Sequence, residues 1–334
     1  REAIKKAAEN KGGLSGVPTL FHKLDRITSG WQKSDLIIIA ARPAMGKTAF
    51  ALSMAKNISV TQRIPMAFFS LEMSNDQLVK RMISNVCELE ADKLRSGLLE
   101  PYEWAQLDSK ISVLYDAPLY VDDTSSLSIF ELRTKARRLV AEHGVKIIMI
   151  DYLQLMTASG IKFGSRQEEV SHISRGLKSL AKELNIPIIA LSQLNRGVEK
   201  REGDEGKRPQ LSDLRESGAI EQDADMVCFI HRPEYYKIYE APDGGQDYRG
   251  KAEIIIGKHR NGEVGIVLLR FKAQFTRFMN LDDDIHNGSS IYESESSSAS
   301  QNSMPPAIGD ESFPMTNGND DPLSGNIGGV IPPF

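Results

Sequence analysis

Gly46, Lys47 and Thr48 close the stretch "AARPAMGKTAF", and an ammonium and a hydroxyl in that order suit a polyphosphate with its divalent cation. The phosphate-binding pattern G-x-x-x-x-G-K-[ST] sits between a strand and a helix. Its backbone N–H groups cradle phosphate, its lysine reaches the terminal phosphates and its hydroxyl reaches Mg²⁺. Here Ala41 takes the first glycine position, and Arg42, Pro43, Ala44 and Met45 form the loop. The apolar run Leu36 to Ile39 before it reads as a buried strand, and Phe50, Met54 and Ile58 after it recur at helical spacing. The loop therefore lies where a helix N-terminus faces an anion, and ATP with Mg²⁺ is the expected ligand.

Three more polar residues follow apolar runs, at the strand ends where open α/β sheets bind ligands. Glu72 in "FFSLEMS" is a carboxylate able to orient and deprotonate a water; the other reading is a charge beside the first turn of a helix capped by Ser74. Asp151 closes "KIIMID", the Walker B pattern that binds Mg²⁺ through water. Gln193 closes "IPIIALSQ", where an amide can sense a γ-phosphate. Arg215, Glu216 and Gly218 in "LSDLRESGAIEQDAD" read as a loop that tracks phosphates or as a solvated charged turn. Lys258 and Arg260 in "GKHRNG" occupy a short exposed turn, either hairpin decoration or a carrier of a guanidinium into a neighbouring subunit's ATP site. Tyr235 and Tyr236 read as packing.

The elements that must position these groups alternate. Strands are expected at Leu36 to Ala40, Met66 to Ser70, Leu119 to Asp122, Lys146 to Ile150, Pro187 to Leu191, Met226 to Ile230, Ala252 to Gly257 and Val264 to Phe271. Between them Ile129, Leu132, Ala136 and Leu139, and Val170, Ile173, Leu177, Leu180 and Leu184, step by three and four. Such alternation predicts an α/β fold with a largely parallel sheet between helices, and the last two strands read as an antiparallel hairpin at its edge.

With 334 residues, 40% hydrophobic and 26% charged, the composition is that of a globular protein. No apolar run is long enough to span a membrane, and no secretory leader is legible in "REAIKKAAENKGG", which reads as a helix end capped by Gly12-Gly13. Cys87 and Cys228 are expected to be core residues of a cytoplasmic protein. The net charge of −4 hides an asymmetry: residues 282–334 carry nine acidic and no basic residues, which leaves the remainder mildly basic. That permits a polyanionic partner, and the Ser-, Gly- and Pro-rich tail is expected to be disordered. The expected organisation is a linker-helix end at 1–13, an ATPase domain at 14–281 and the tail at 282–334.

Taken together and in order, "AARPAMGKTAF", "FFSLEMS", "IIMIDYLQL", "IIALSQLNR", "DLRESGAIEQDAD" and "GKHRNG" closely resemble the C-terminal motor domain of DnaB-type bacterial replicative helicases. The resemblance implies a RecA-like P-loop core in a homohexameric ring that translocates 5′-to-3′ on single-stranded DNA and unwinds duplex. It implies Lys47 and Thr48 as the Walker A pair, Glu72 as catalytic glutamate, Asp151 as Walker B aspartate and Gln193 as γ-phosphate glutamine. It also implies Lys258 and Arg260 as cations given in trans and Arg215, Glu216 and Gly218 as the DNA-binding loop. Primase and a helicase loader are implied partners of a full-length protein with a helical N-terminal domain. Leu20 stands where the family usually has glycine. The ending "IPPF" after Asp320-Asp321 resembles the acidic tail of single-stranded-DNA-binding proteins and suggests a docking peptide. The rivals are a RadA- or RecA-like recombination ATPase and a P-loop regulator that binds ATP as a switch.

Overall fold

Ile37 and Ile39 face one helical layer and Leu36, Ile38 and Ala40 the other, all of them buried. The strand they form, β1 (Leu36–Ala41), is thus covered on both faces, as a continuous apolar run requires. The computed structural model describes residues 14–283 apart from 159, 161, 196, 198–200, 202, 204, 218–219 and 242–243, with backbone alone at 205 and 215–217. The expected linker helix end and nearly all of the tail lie outside the described residues.

After α1 (His22–Thr28) and β1 come α2 (Lys47–Ala55), extended by a π-helical turn at Lys56–Thr61, then β2 (Met66–Ser70), α3 (Asn75–Cys87), α4 (Ala91–Ser96), α5 (Pro101–Tyr115) and β3 (Leu119–Asp122). The chain continues through α6 (Ile129–His143), β4 (Ile147–Asp151), α7 (Arg166–Leu184), β5 (Ile188–Gln193), a 3₁₀ segment at Leu211–Ser217, α8 (Ile220–Asp223) and β6 (Met226–His231). It ends in β7 (Lys251–His259), β8 (Gly265–Lys272) and β9 (Arg277–Met279). One sheet joins the strands in the order β3-β2-β4-β5-β1-β6-β7-β8-β9. It is parallel from β3 to β6 and antiparallel from β6 to β9.

The expected strands and the two periodic helices are present, with ends shifted by up to two residues. Asp151 and Gln193 are the last residues of β4 and β5 rather than one and two residues beyond them. Three expectations are corrected. The β7–β8 hairpin is not the sheet edge, because β9 pairs outside β8. Lys258 lies within β7 and only Arg260 in the turn. The 211–217 stretch is a 3₁₀ turn rather than open loop.

Leu20 takes the left-handed conformation (φ 60°), the region where glycine is at ease and a leucine costs about 1 kcal/mol. The turn holds because the backbone N–H groups of Thr19 and Leu20 both donate to the Asp25 carboxylate, at 2.9 Å each to the nearer oxygen. At the other end of the chain β9 is pinned to α2: the Phe278 N–H donates to Ser53 Oγ at 2.9 Å, and the Phe278 ring meets Phe50 edge-on at 5.3 Å.

Candidate functional site

Parallel pairing brings the end of β1 level with that of β5, and the end of β2 level with that of β4: Ala41 sits opposite Gln193 and Ser70 opposite Asp151. The register therefore delivers the loop after β1, Gln193 and Asp151 to one end of the sheet. The loop turns through left-handed backbone at Ala44 (φ 66°) and Gly46 (φ 89°), and such turns let successive N–H groups converge on an anion. Space at 46 is tight as well. A Cβ there would stand 3.2 Å from the Phe278 ring and 3.5 Å from that of Phe271.

Lys47 and Thr48 open α2 beside Asp151, whose side chain is fully buried. The Thr48 hydroxyl donates to Asp151 Oδ2 at 2.7 Å, and Lys47 Nζ lies 3.4 Å from Oδ1 and 3.9 Å from the centre of the Tyr152 ring. Among the described residues, none donates a hydrogen bond to Oδ1. Burial pushes the Lys47 ammonium below the usual lysine range, against the pull of Asp151 and then Glu72. A buried carboxylate with a spare oxygen beside a threonine hydroxyl is a fitting donor set for a hard cation, which favours oxygen ligands.

Ala41, Pro43, Ala44, Gly46, Lys47 and Thr48 line a cleft of about 330 Å³ together with Glu72, Arg81, Gln193, Phe271 and Thr276. Glu72 is not a first-turn charge: Ser74 is the N-cap of α3, boxed with Gln77, and the acid of that first turn is Asp76. Glu72 is exposed in the cleft instead. Arg42 lines the cleft as well, whereas Met45 is not among its lining residues. Both are buried, and Arg42 donates to the carbonyl of Leu194 at 3.0 Å, which ties the loop to the end of β5. A cavity of about 370 Å³ elsewhere is lined by apolar side chains such as Leu52, Phe68, Leu78, Ile111 and Leu114, and it lacks the phosphate-binding groups of the cleft.

Lys258 and Arg260 stand at the opposite end of the strands. Lys258 Nζ donates to the carbonyl of Glu221 at 2.5 Å, and Arg260 Nη1 to Asp225 Oδ1 at 3.1 Å. Asp225 in turn pairs with Leu36, the first residue of β1. Five residue steps along β1, about 17 Å, separate that point from Ala41. Arg215 and Glu216 lie on the 3₁₀ backbone that precedes α8, and Gly218 falls outside the described residues. Tyr236 packs as expected, stacked on His231 at 5.7 Å, and Cys87 and Cys228 are buried.

Several site residues carry no local sequence signal. Arg81 and Thr276 reach the cleft from α3 and from the turn before β9. Arg232 lies with its guanidinium 4.2 Å from the centre of the Phe271 ring and donates to the loop carbonyl of Ala44 at 3.3 Å. Gln154 holds the end of β5, donating to Ser192 Oγ at 2.8 Å and accepting from the N–H of Gln193 at 3.2 Å.

Known proteins resemble this chain in sequence and in fold. The family model described as "DnaB-like helicase C terminal domain" matches residues 16–280. The chain belongs to this family. It is 49% identical over 271 residues to the replicative DNA helicase DnaB of Geobacillus stearothermophilus, covering 81% of this chain and 58% of that protein. It is 48% identical over 279 residues to the replicative DNA helicase DnaC of Bacillus subtilis (strain 168), covering 84% and 60%. The chain thus spans less than two thirds of these DnaB-like relatives. Among solved structures, a DnaB-like replicative helicase described with its interactions with primase superposes with a TM-score of 0.74 at 38% identity, covering 84% of this chain and 67% of that one. A separately solved ATPase domain gives 0.75 at 38% identity, covering 84% and 96%. The expected mostly parallel core with an antiparallel edge is therefore that of DnaB-like ATPase domains. Among the described residues, no helix is long and apolar enough to cross a membrane.

Proposed function

We propose that the chain is the motor of a replicative DNA helicase, hydrolysing ATP to ADP and phosphate while moving 5′-to-3′ on single-stranded DNA as a ring of six. The organisation read from the sequence goes with this proposal: a linker helix ending at 13, the motor at 14–281 and an acidic tail from 282. In the motor, the loop N–H groups and Lys47 bind the phosphates, and Glu72 takes a proton from the attacking water as ADP leaves. Gln193, at the level of the loop, senses the γ-phosphate, and Arg81 adds a cation to the same cleft. Mg²⁺ would be held by Thr48 directly and by Asp151 through water, offsetting charge on the β- and γ-phosphates. Arg215, Glu216 and Gly218 contact the DNA backbone. Primase and a loader are proposed partners of the full-length protein, and the tail a docking segment for another replication protein.

The observation that carries the ring is the position of Arg260, about 17 Å along β1 from the loop of its own subunit. A guanidinium held at that end is placed to serve a nucleotide on another subunit, so a complete site spans two chains. The test is unwinding of a forked duplex with ATP, beside sizing of the assembly. Wild type should form a hexamer, unwind the fork and hydrolyse ATP faster with single-stranded DNA, and Lys47→Ala should do neither unwinding nor hydrolysis. Normal turnover by Lys47→Ala, or turnover indifferent to DNA, removes the proposal in favour of a nucleotide switch.

A further inference from the structure

We infer that Asp225 is the positioning residue for the Arg260 guanidinium, and that it joins this cation to the segment that enters α8. The inference rests on the proposed action of Arg260 on a neighbour's ATP. Arg260 is held at three points, all within its own chain. Its Nη1 donates to Asp225 Oδ1 at 3.1 Å, its Nη2 to the carbonyl of Gln222, and its backbone N–H to the carbonyl of Asp225 at 2.9 Å.

Asp225 cannot swing away from this duty. Its side chain is 8% exposed, and Oδ2 accepts from the Leu36 N–H at 2.8 Å and from the Lys178 ammonium. Its own N–H donates to the Leu36 carbonyl at 2.9 Å, so the carboxylate is fixed to the first residue of β1 at the centre of the sheet. The guanidinium has five donors, of which two groups are held from behind, and the side chain remains 43% exposed. Orientation thus comes from within the subunit, and the outward donors are left for a phosphate. A long side chain fixed before the encounter loses less freedom when it binds.

The second half of the inference concerns α8. Its carbonyls at Glu221 and Gln222 hold Lys258 and Arg260, and α8 follows the 211–217 turn in the chain by three residues. Nucleic acid that displaces the turn moves the carbonyls on which both cations rest. DNA stimulation of hydrolysis then runs through this junction.

Asp225→Asn tests the assignment in the hexamer of the full chain. The amide has one acceptor oxygen, which the buried Leu36 N–H and Lys178 claim, so its NH₂ group is turned toward Arg260. Loss of orientation at a reacting centre costs on the order of 10- to 100-fold in rate. ATP turnover with DNA should therefore fall about that far at unchanged KM for ATP, and the ratio of turnover with and without DNA should shrink. Asp225→Asn/Arg260→Ala should be no slower than Arg260→Ala, and Asp225→Asn subunits mixed with Lys47→Ala subunits should regain turnover. If the single variant folds poorly, Asp225→Asn/Lys178→Met removes the buried cation with its partner and is read in the same way.

Losses that multiply in the double variant, or turnover that returns in Asp225→Asn/Lys178→Met along with the melting temperature, make Asp225 merely structural and overturn the inference. Arg260→Ala mixed with Lys47→Ala is the control. If that pair fails to complement while differently tagged chains co-purify, the trans reading of Arg260 falls, and the double-variant comparison still decides for or against Asp225.

Discussion

Glu72 stands two residues ahead of a capped helix and faces the cleft, so its removal bears on chemistry and not on folding. Under the proposed role, Glu72→Gln keeps shape and loses the base. Turnover should drop by about 10²-fold or more while binding of ATP with Mg²⁺, read by fluorescent-nucleotide titration, persists; loss of binding together with a lower melting temperature contradicts the role. His231 lies outside this chemistry and shapes the pH response of the fold. Burial, and then Arg208, holds its imidazole down at about 4 against 6.5 when unfolded. The unfolded chain therefore takes up the proton first on acidification, and stability is lost as pH falls from 6.5 through 4, by about 3 kcal/mol in all. Asp35 opposes this: burial, and then the Asp225 charge, raises its carboxyl from 3.8 to about 6, so it adds stability as pH falls from 6 through 3.8. Thermal unfolding of His231→Gln between pH 7 and 4 should decline less than that of wild type. Parallel declines in the two proteins would show that His231 is not the acid-sensitive group.

The turn ahead of α1 and the segment ahead of α8 are the elements where sequence and geometry pull apart. Leu20→Gly relieves a left-handed leucine but loosens the unfolded chain, two effects of similar size. Its melting temperature should equal or exceed that of wild type, whereas glycine at an ordinary position costs about 0.5–1 kcal/mol. A clear drop would show that Leu20 contributes packing that outweighs its backbone. Arg215→Ala should weaken single-stranded DNA binding regardless of sequence and reduce the slope of log affinity against log salt by about 1 for each phosphate no longer neutralised; an unchanged slope moves the DNA path elsewhere. Local pattern made much of this legible. Lys47, Thr48, Asp151 and Gln193 announce themselves because each adjoins a continuous apolar run or the start of the helix after one. Arg81, Thr276, Gln154 and Asp225 do not, since their meaning lies in partners far along the chain. β9 escaped for a different reason: three residues are too few to show alternation, and Ser53, Phe50 and β8 hold them in place.

At the scale of the whole molecule, one sheet carries functional groups at both ends. Phosphate-binding groups gather where the parallel strands finish, and Lys258 and Arg260 sit where β1 and β6 begin. On the function proposed above, a lone chain holds the phosphate-binding groups of an ATP site and lacks the cation that completes it. Turnover per chain should fall on dilution through the assembly range, while nucleotide binding declines far less. A specific activity independent of chain concentration would place the whole reaction within one subunit.

The attachment of β9 to α2 also sets an order in time. The ring that Gly46 approaches belongs to Phe278, more than two hundred residues downstream, so a chain emerging from the ribosome exposes Lys47 and Thr48 long before the ring packed against their turn exists. On the proposed ATP site, firm retention of nucleotide is therefore expected only once β9 has arrived and closed on Ser53 and Phe50. If so, a nascent chain stalled before residue 277 should fail to retain nucleotide that a chain stalled well beyond 283 retains.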